Sequence, residues 1–226
     1  MLHLIAGKPL VQHTWERCQA CLEVDDIIIA TDHEKIVEAA ASFGAKAVLT
    51  SPDHPSGTDR IAEAAGMFPE HEWIINVQGD EPLISPALID QLAIQLRQDR
   101  LIRMITAAAP IQDEKQVADP NVVKVVFDVN GDSLYFSRSP LPFVRNAGAG
   151  VTHYRHLGIY GFQRDFLRQF VSWPPSRLEM TESLEQLRAL ENGTRLRVVL
   201  TDELSPGVDT LEQAVAIENH LRSRSV

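Results

Sequence analysis

The amino-acid sequence predicts an α/β protein of Rossmann-like architecture, a mostly parallel sheet with helices on both faces. Two observations carry the prediction. Short apolar runs of strand length alternate with helical patterns from residue 27 to residue 109, and several runs end where glycine or polar residues begin. Such alternation favours right-handed crossovers and a sheet covered on both sides. A third observation interrupts the rhythm. Residues 121–162 are rich in β-forming side chains around an Asn130-Gly131 turn signal, which predicts a small antiparallel insertion serving as a lid or a dimer surface.

The elements follow in order. Residues 11–22 carry a helical pattern that holds Cys18 and Cys21, the two cysteines of the chain, as packing residues. Buried strands are expected at 27–31, 46–50, 73–77, 104–109 and 196–200, and helices at 34–43, 60–67 and 86–98. In the β-rich segment, 122–128 and 133–137 pair through the Asn130-Gly131 turn, and 153–162 adds a strand. After Pro175 one helix is expected from Ser176 to Asn192-Gly193. Ser176 and Glu179 form a capping box, and Met180, Leu184 and Leu187 form its buried stripe. A last helix follows Thr210.

The chain has 226 residues, 44% of them apolar, enough for one domain with a substantial core. Its net charge of −10 disfavours nucleic acid or an anionic membrane surface as the main partner, since both reward a basic face. No disulfide framework, leader pattern or long apolar run appears in the 226 residues, so the sequence reads as cytoplasmic with no membrane insertion.

The stretch from Asn76 through Gln78, Gly79, Asp80 and Glu81 to Pro82 places an acid at the carboxyl edge of a strand, where open α/β sheets bind ligands. Asp80 there reads either as a turn cap or as a ligand for a hard divalent cation such as magnesium, which takes one or two carboxylates plus phosphate oxygens. Asp209 precedes the last helix and reads either as an ordinary N-cap or as a second carboxylate. Ser56, Gly57 and Thr58 put small hydroxyls and open backbone at a helix start, a cradle for an anion or a base and equally a plain cap. Dinucleotide and P-loop fingerprints are missing from the sequence. His153 and His156 sit three apart on a strand and point to opposite faces, so they do not chelate together. His156 with Arg155 and Tyr160 reads either as a carboxylate site or as ordinary strand packing. Glu182, Glu185 and Gln186 read as a solvated face or a pocket wall.

Taken together, these stretches resemble the 3-deoxy-manno-octulosonate cytidylyltransferases, also called CMP-Kdo synthetases. The resemblance rests on Gly7-Lys8-Pro9, Ala30–Glu34, Ser56–Arg60, Asn76–Pro82, Asp119–Val126, Leu134–Arg138, Arg155–Gly161, Leu184–Arg188 and Gly207–Thr210, in order over nearly the whole chain. It implies a fold of the nucleotide-diphospho-sugar transferase type. It also implies transfer of CMP from CTP to 3-deoxy-D-manno-octulosonate (Kdo), releasing pyrophosphate, in lipopolysaccharide biosynthesis. On this chain it implies that Asp80 and Asp209 hold Mg2+ and that Ser56, Gly57, Thr58 and Gln78 meet the nucleotide. His156, Tyr160, Glu185 and Gln186 would face the sugar, Arg138 and Arg145 are further candidates for its carboxylate, and a homodimer is expected.

Against the family pattern, residues 2–9 match the segment after the first strand and the arginine-bearing phosphate loop. The resemblance therefore implies that this strand and loop are absent, through a miscalled or truncated start, and that the 226-residue chain binds CTP poorly and tends to aggregate. Two other readings stay open at this level, a cytidylyltransferase for a related acid such as 8-amino-Kdo and a non-catalytic sugar-binding subunit.

Overall fold

The computed structural model describes residues 1–146, 150–203, 206–208 and 210–223. In chain order the elements are β1 (Leu4–Ile5), β2 (Lys8–Pro9), α1 (Leu10–Gln19), β3 (Ile28–Thr31), α2 (Glu34–Ser42), β4 (Lys46–Leu49), α3 (Gly57–Gly66) and β5 (Trp73–Asn76). Then come α4 (Pro86–Gln98), β6 (Met104–Pro110), α5 (Glu114–Ala118), β7 (Lys124–Phe127), β8 (Ser133–Ser137) and β9 (Tyr154–Gln163). The chain closes with α6 (Arg164–Ser172), α7 (Arg177–Glu182), α8 (Leu187–Glu191), β10 (Leu196–Leu200) and α9 (Leu211–Ser223). It divides into two compact units: Met1–His71, Asn76–Ala93 and Leu204–Val226 form one, Glu72–Ile75 and Ile94–Glu203 the other.

In the first unit β3 and β4 pair in parallel with α2 between them, as the alternating pattern requires. α1 ends at Gln19, three residues before the expected limit, so Cys21 lies outside it. The exit from α1 is fixed instead by Asp90 on α4, whose carboxylate accepts from the Leu22 and Glu23 amides. Both cysteines are free thiols, pushed up by burial to about 11 at Cys18 and about 12 at Cys21. They are therefore protonated packing groups. A small core joins the termini of this unit, where Ile5 and Leu10 meet Ala214 and Ile217 with Leu83 and Val208 against them.

The second unit is built on a mixed sheet. Among the described residues its order is β10-β6-β9-β7-β8, with β5 also paired to β9. β10 runs parallel to β6, whereas β9 is antiparallel to β6 and β7, and β7 to β8. The expected hairpin forms around Gly131, which takes φ +83°. The β-rich segment is nevertheless no appendage. β9 pairs with β6 from Pro110↔Tyr154 to Met104↔Phe162, which makes it an interior strand of the sheet. Its apolar side chains suit an interior strand, since Leu157, Ile159 and Phe162 are all buried. The hairpin tip is tied back to β10 by Val198 N–H to the Gly131 carbonyl and by Arg197 to Asp132 at 2.8 Å.

The single helix expected after Pro175 is two. The capping box forms at Ser176 and Glu179, but Ser183 takes a left-handed φ of +52° and ends α7. Arg188 supplies the reason. It pairs with Glu179 through Nε at 2.8 Å and Nη2 at 2.5 Å, both side chains are nearly buried, and its guanidinium lies 4.8 Å from the Phe170 ring centre. In one straight helix nine residues advance about 13.5 Å, too far for that pair, so the chain must fold back between them. Met180 accordingly leaves the predicted stripe and is 66% exposed, while Leu184 and Leu187 stay buried.

Gly161 is closely packed in this sheet. A Cβ there would stand 2.6 Å from Ile105 Cγ2 and from Leu96 Cδ1 and 2.9 Å from Ile75 Cδ1. Gly161→Ala is expected to lower stability by about 1–3 kcal/mol through overpacking. A urea midpoint equal to that of the parent would show that the strands can part at no cost.

Candidate active site

In the first unit, the carboxyl ends of β3 and β4 and the start of α3 are held by one cation. Arg60 donates to Thr50 Oγ1 at 2.9 Å and to Asp32 at 3.0 Å, and that hydrogen bond holds the Asp32 carboxyl below the usual range. Just ahead, Ser56 is the N-cap of α3, its Oγ accepting from the Asp59 amide at 3.2 Å and donating to the Asp59 carboxylate at 2.6 Å. Thr58 is buried, and a Cβ on Gly57 would meet open space within 4 Å. The cradle expected from Ser56, Gly57 and Thr58 thus exists as a helix start that already carries a carboxylate. An anion placed there would meet the Asp59 charge; a neutral base would not.

β5 leads into the acidic turn. The Gln78 carbonyl accepts from Glu81 N–H at 3.2 Å and the Gly79 carbonyl from Thr14 Oγ1 at 2.9 Å. Asp80 is half-buried, and its carbonyl accepts from Val208 N–H at 2.9 Å. The structure therefore joins the Asp80 turn to the segment before α9, a link that sequence spacing cannot supply. Asp209 itself lies outside the described residues. Among the described residues no three or more His, Cys, Asp or Glu gather around a common point.

The second unit gathers the other predicted residues on β9 and the turn between α7 and α8. His156 and Tyr160 have ring centres 5.4 Å apart, and Phe136 meets His156 edge-on at 5.0 Å. His156 Nε2 is 2.9 Å from Thr106 Oγ1. Burial pushes the imidazole down to about 3, so it is neutral and brings no charge to a carboxylate. That removes the electrostatic part of the expected carboxylate site. Burial, and then the nearby Glu185 charge, push the Tyr160 phenol up, which keeps it a protonated donor. Gln186 is 3% exposed and its Nε2 is buried without a hydrogen-bond partner. An amide so placed costs stability unless something else satisfies it.

Arg138 acts first as a clamp. Its Nε donates to the Glu182 carbonyl and Nη2 to that of Ser183, so two of its five N–H groups position the α7–α8 turn, while Nη1 donates to the Pro120 carbonyl. Glu182, expected beside Glu185 and Gln186, turns away to accept from Ser137 Oγ and Arg138 N–H. Arg145 is exposed, and part of its loop lies outside the described residues. His153 precedes β9 and meets the Pro142 carbonyl at 3.2 Å, apart from the Thr106 contact of His156. The two histidines therefore have separate partners. Two residues escaped the sequence reading. Lys124 is fully buried, its ammonium donating to the Asp119 and Arg138 carbonyls. Thr106 is fully buried too, and its signal was the one hydroxyl inside an otherwise apolar strand.

With this geometry in hand, comparison with known proteins is decisive. The family model described as "Cytidylyltransferase" matches residues 1–197. A 3-deoxy-manno-octulosonate cytidylyltransferase from Pseudomonas fluorescens strain SBW25 is 51% identical over 224 residues, 93% of this chain and 87% of that protein. The Geobacter sulfurreducens protein of the same name is 48% identical over 216 residues, covering 91% and 86% respectively. The chain belongs to the 3-deoxy-manno-octulosonate cytidylyltransferase family. A solved CMP:2-keto-3-deoxy-manno-octonic acid synthetase complexed with CTP matches with a TM-score of 0.94 and 38% identity, over 99% of this chain and 91% of that one. The α/β fold with its mixed sheet is thus the fold of a cytidylyltransferase.

The neutral state of His156 has a consequence for stability in this cytidylyltransferase. Its folded value lies near 3, below the 6.5 of a free imidazole. Between those values the unfolded chain binds a proton that the folded chain does not, so stability falls as pH drops through the window. His156→Gln should lose less stability than the parent between about pH 7 and about pH 5, read from urea midpoints. Equal losses would mean that the ring is charged in the fold.

Proposed function

We propose that this chain transfers CMP from CTP to Kdo, forming CMP-Kdo and releasing pyrophosphate. The observation that carries the reading is the kinship just described, in a fold shared with a synthetase complexed with CTP. In the reaction the anomeric hydroxyl of Kdo forms a bond to the α-phosphorus of CTP, the bond to the pyrophosphate oxygen breaks, and the hydroxyl proton leaves to solvent. Binding and orientation of the two substrates supply much of the rate, with no dedicated histidine base.

On this reading the α3 cradle of Ser56, Gly57 and Thr58, with Gln78, receives the nucleotide. The Asp59 carboxylate beside Ser56 favours the uncharged cytosine there over a phosphate. In the second unit the protonated Tyr160 phenol donates, the Glu185 carboxylate accepts, and Gln186 Nε2 gains the partner that it lacks. The neutral His156 ring orients a hydroxyl, and the remaining N–H groups of Arg138 serve the sugar carboxylate.

Mg2+ fits as cofactor, held by Asp80 and Asp209. The Val208–Asp80 hydrogen bond, which joins those two stretches of chain, supports that assignment. When bound, the metal would supply a Lewis acid that offsets the growing charge on phosphate and hydroxyl oxygens. A cytoplasmic setting suits an enzyme that draws on CTP. Homodimer formation is supported by apolar side chains exposed in the second unit, Leu134 on β8 and Phe143.

Pyrophosphate release from CTP and Kdo tests the reading. Asp80→Asn, which keeps size and removes charge, should lower turnover at least about a hundredfold. Turnover within a few-fold of the parent would take Asp80 out of the chemistry.

A further inference from the structure

The pairing of β6 with β9 has a gap. Thr106 stands opposite Tyr160 and the next residue, Ala107, opposite Leu157, so Gly158 and Ile159 have no partner on β6 in this register. Thr106, fully buried, fills that gap. Its Oγ1 lies 2.8 Å from the Ile159 carbonyl oxygen, 3.2 Å from the Leu157 carbonyl oxygen and 2.9 Å from His156 Nε2.

A hydroxyl has one proton, and a carbonyl has none to offer. Thr106 therefore donates to a carbonyl, the nearer being that of Ile159. The remaining contact closes only when His156 Nε2 carries the ring proton and donates it to Oγ1. The opposite assignment, with O–H directed to Nε2, would set Oγ1 against two carbonyl oxygens with no proton between any of them. A neutral imidazole has a single N–H, so Nδ1 is left with its lone pair.

We propose that Thr106 is a positioning residue which locks His156 in the Nε2–H tautomer and so makes Nδ1 an obligate acceptor for a hydroxyl of the sugar acid. The inference rests on the reading above that His156 faces Kdo. It adds a basis for selectivity. An acceptor that cannot become a donor favours a substrate hydroxyl over an ether oxygen or a deoxy carbon at the same place. Phe136, edge-on at 5.0 Å, and Tyr160, at 5.4 Å, flank the ring.

The test uses the full chain with nitrogen-15-labelled histidine and long-range proton–nitrogen spectra without ligand near neutral pH. His156 should show a protonated Nε2 and an unprotonated Nδ1. Thr106→Val, similar in shape but without the hydroxyl, should give a mixture of tautomers. It should also raise KM for Kdo about fivefold, the loss of about one net hydrogen bond. Both kcat and KM for CTP should stay within about twofold of the parent. Thr106→Ser should restore the parent spectrum and the parent KM. A protonated Nδ1 or a mixed tautomer in the parent overturns the proposal, as does a Thr106→Val spectrum identical to the parent's. If Thr106→Val fails to fold, the parent spectrum and Thr106→Ser still decide. Absence of Kdo-dependent turnover in the parent would overturn the sugar reading and with it the role given to Nδ1, whereas the ligand-free spectrum reports on the tautomer alone.

Discussion

Backbone pairing between β6 and β9 is the constraint on which the second unit depends. β9 is hydrogen-bonded to β6, β7 and β5, so it links strands that come from widely separated parts of the chain. The same pairing is irregular at Thr106, and an irregularity of this kind re-aims the side chains around it. His156 and Tyr160 lie on either side of the residues without a partner on β6, close to each other, and Tyr160 feels the Glu185 charge. The sheet thus builds its polar cluster by giving up two positions of the β6–β9 ladder and satisfying the freed Ile159 carbonyl with a buried hydroxyl.

The first unit reaches its arrangement by other means. Strand ends are held by side chains, Arg60 on Thr50 and Asp32, and Thr14 on the Gly79 carbonyl. These bonds run from helices to the carboxyl ends of strands or to the loops that follow them, the edge where open α/β sheets bind ligands. The link from Val208 to Asp80 brings in a segment more than a hundred residues downstream, and the core of Ile5, Leu10, Ala214 and Ile217 anchors it.

Much of the fold was legible because strand-length apolar runs and helix caps are local signals. Pro86–Gln98, Ser133–Ser137 and Leu196–Leu200 fall where the pattern puts them. The break at Ser183 was not legible, since its cause is a pairing of Arg188 with Glu179 and Phe170 that exists only after folding. The interior place of β9 was hidden for a related reason: the pattern at residues 153–162 announces a strand but not which earlier strand it will join. Residue types at the site were readable from the resemblance, and their states were not. A histidine and a tyrosine near a carboxylate suggest a charged cluster, and only burial shows the imidazole neutral and the phenol protonated. Arg138 likewise reads as an anion ligand, and only the fold shows that its guanidinium also holds three carbonyls.

The central claim is that Kdo is recognised by the β9 irregularity and the turn that carries Glu185 and Gln186. Titration of the nitrogen-15-labelled chain with Kdo alone, followed through backbone and side-chain amide resonances, tests it most directly. The account predicts saturable shifts at residues 156–160 and 183–186, with the Gln186 side-chain amide moving as it acquires an acceptor, while residues 28–66 stay still. Shifts confined to residues outside those two stretches, or a Gln186 amide unmoved at saturation, would contradict it.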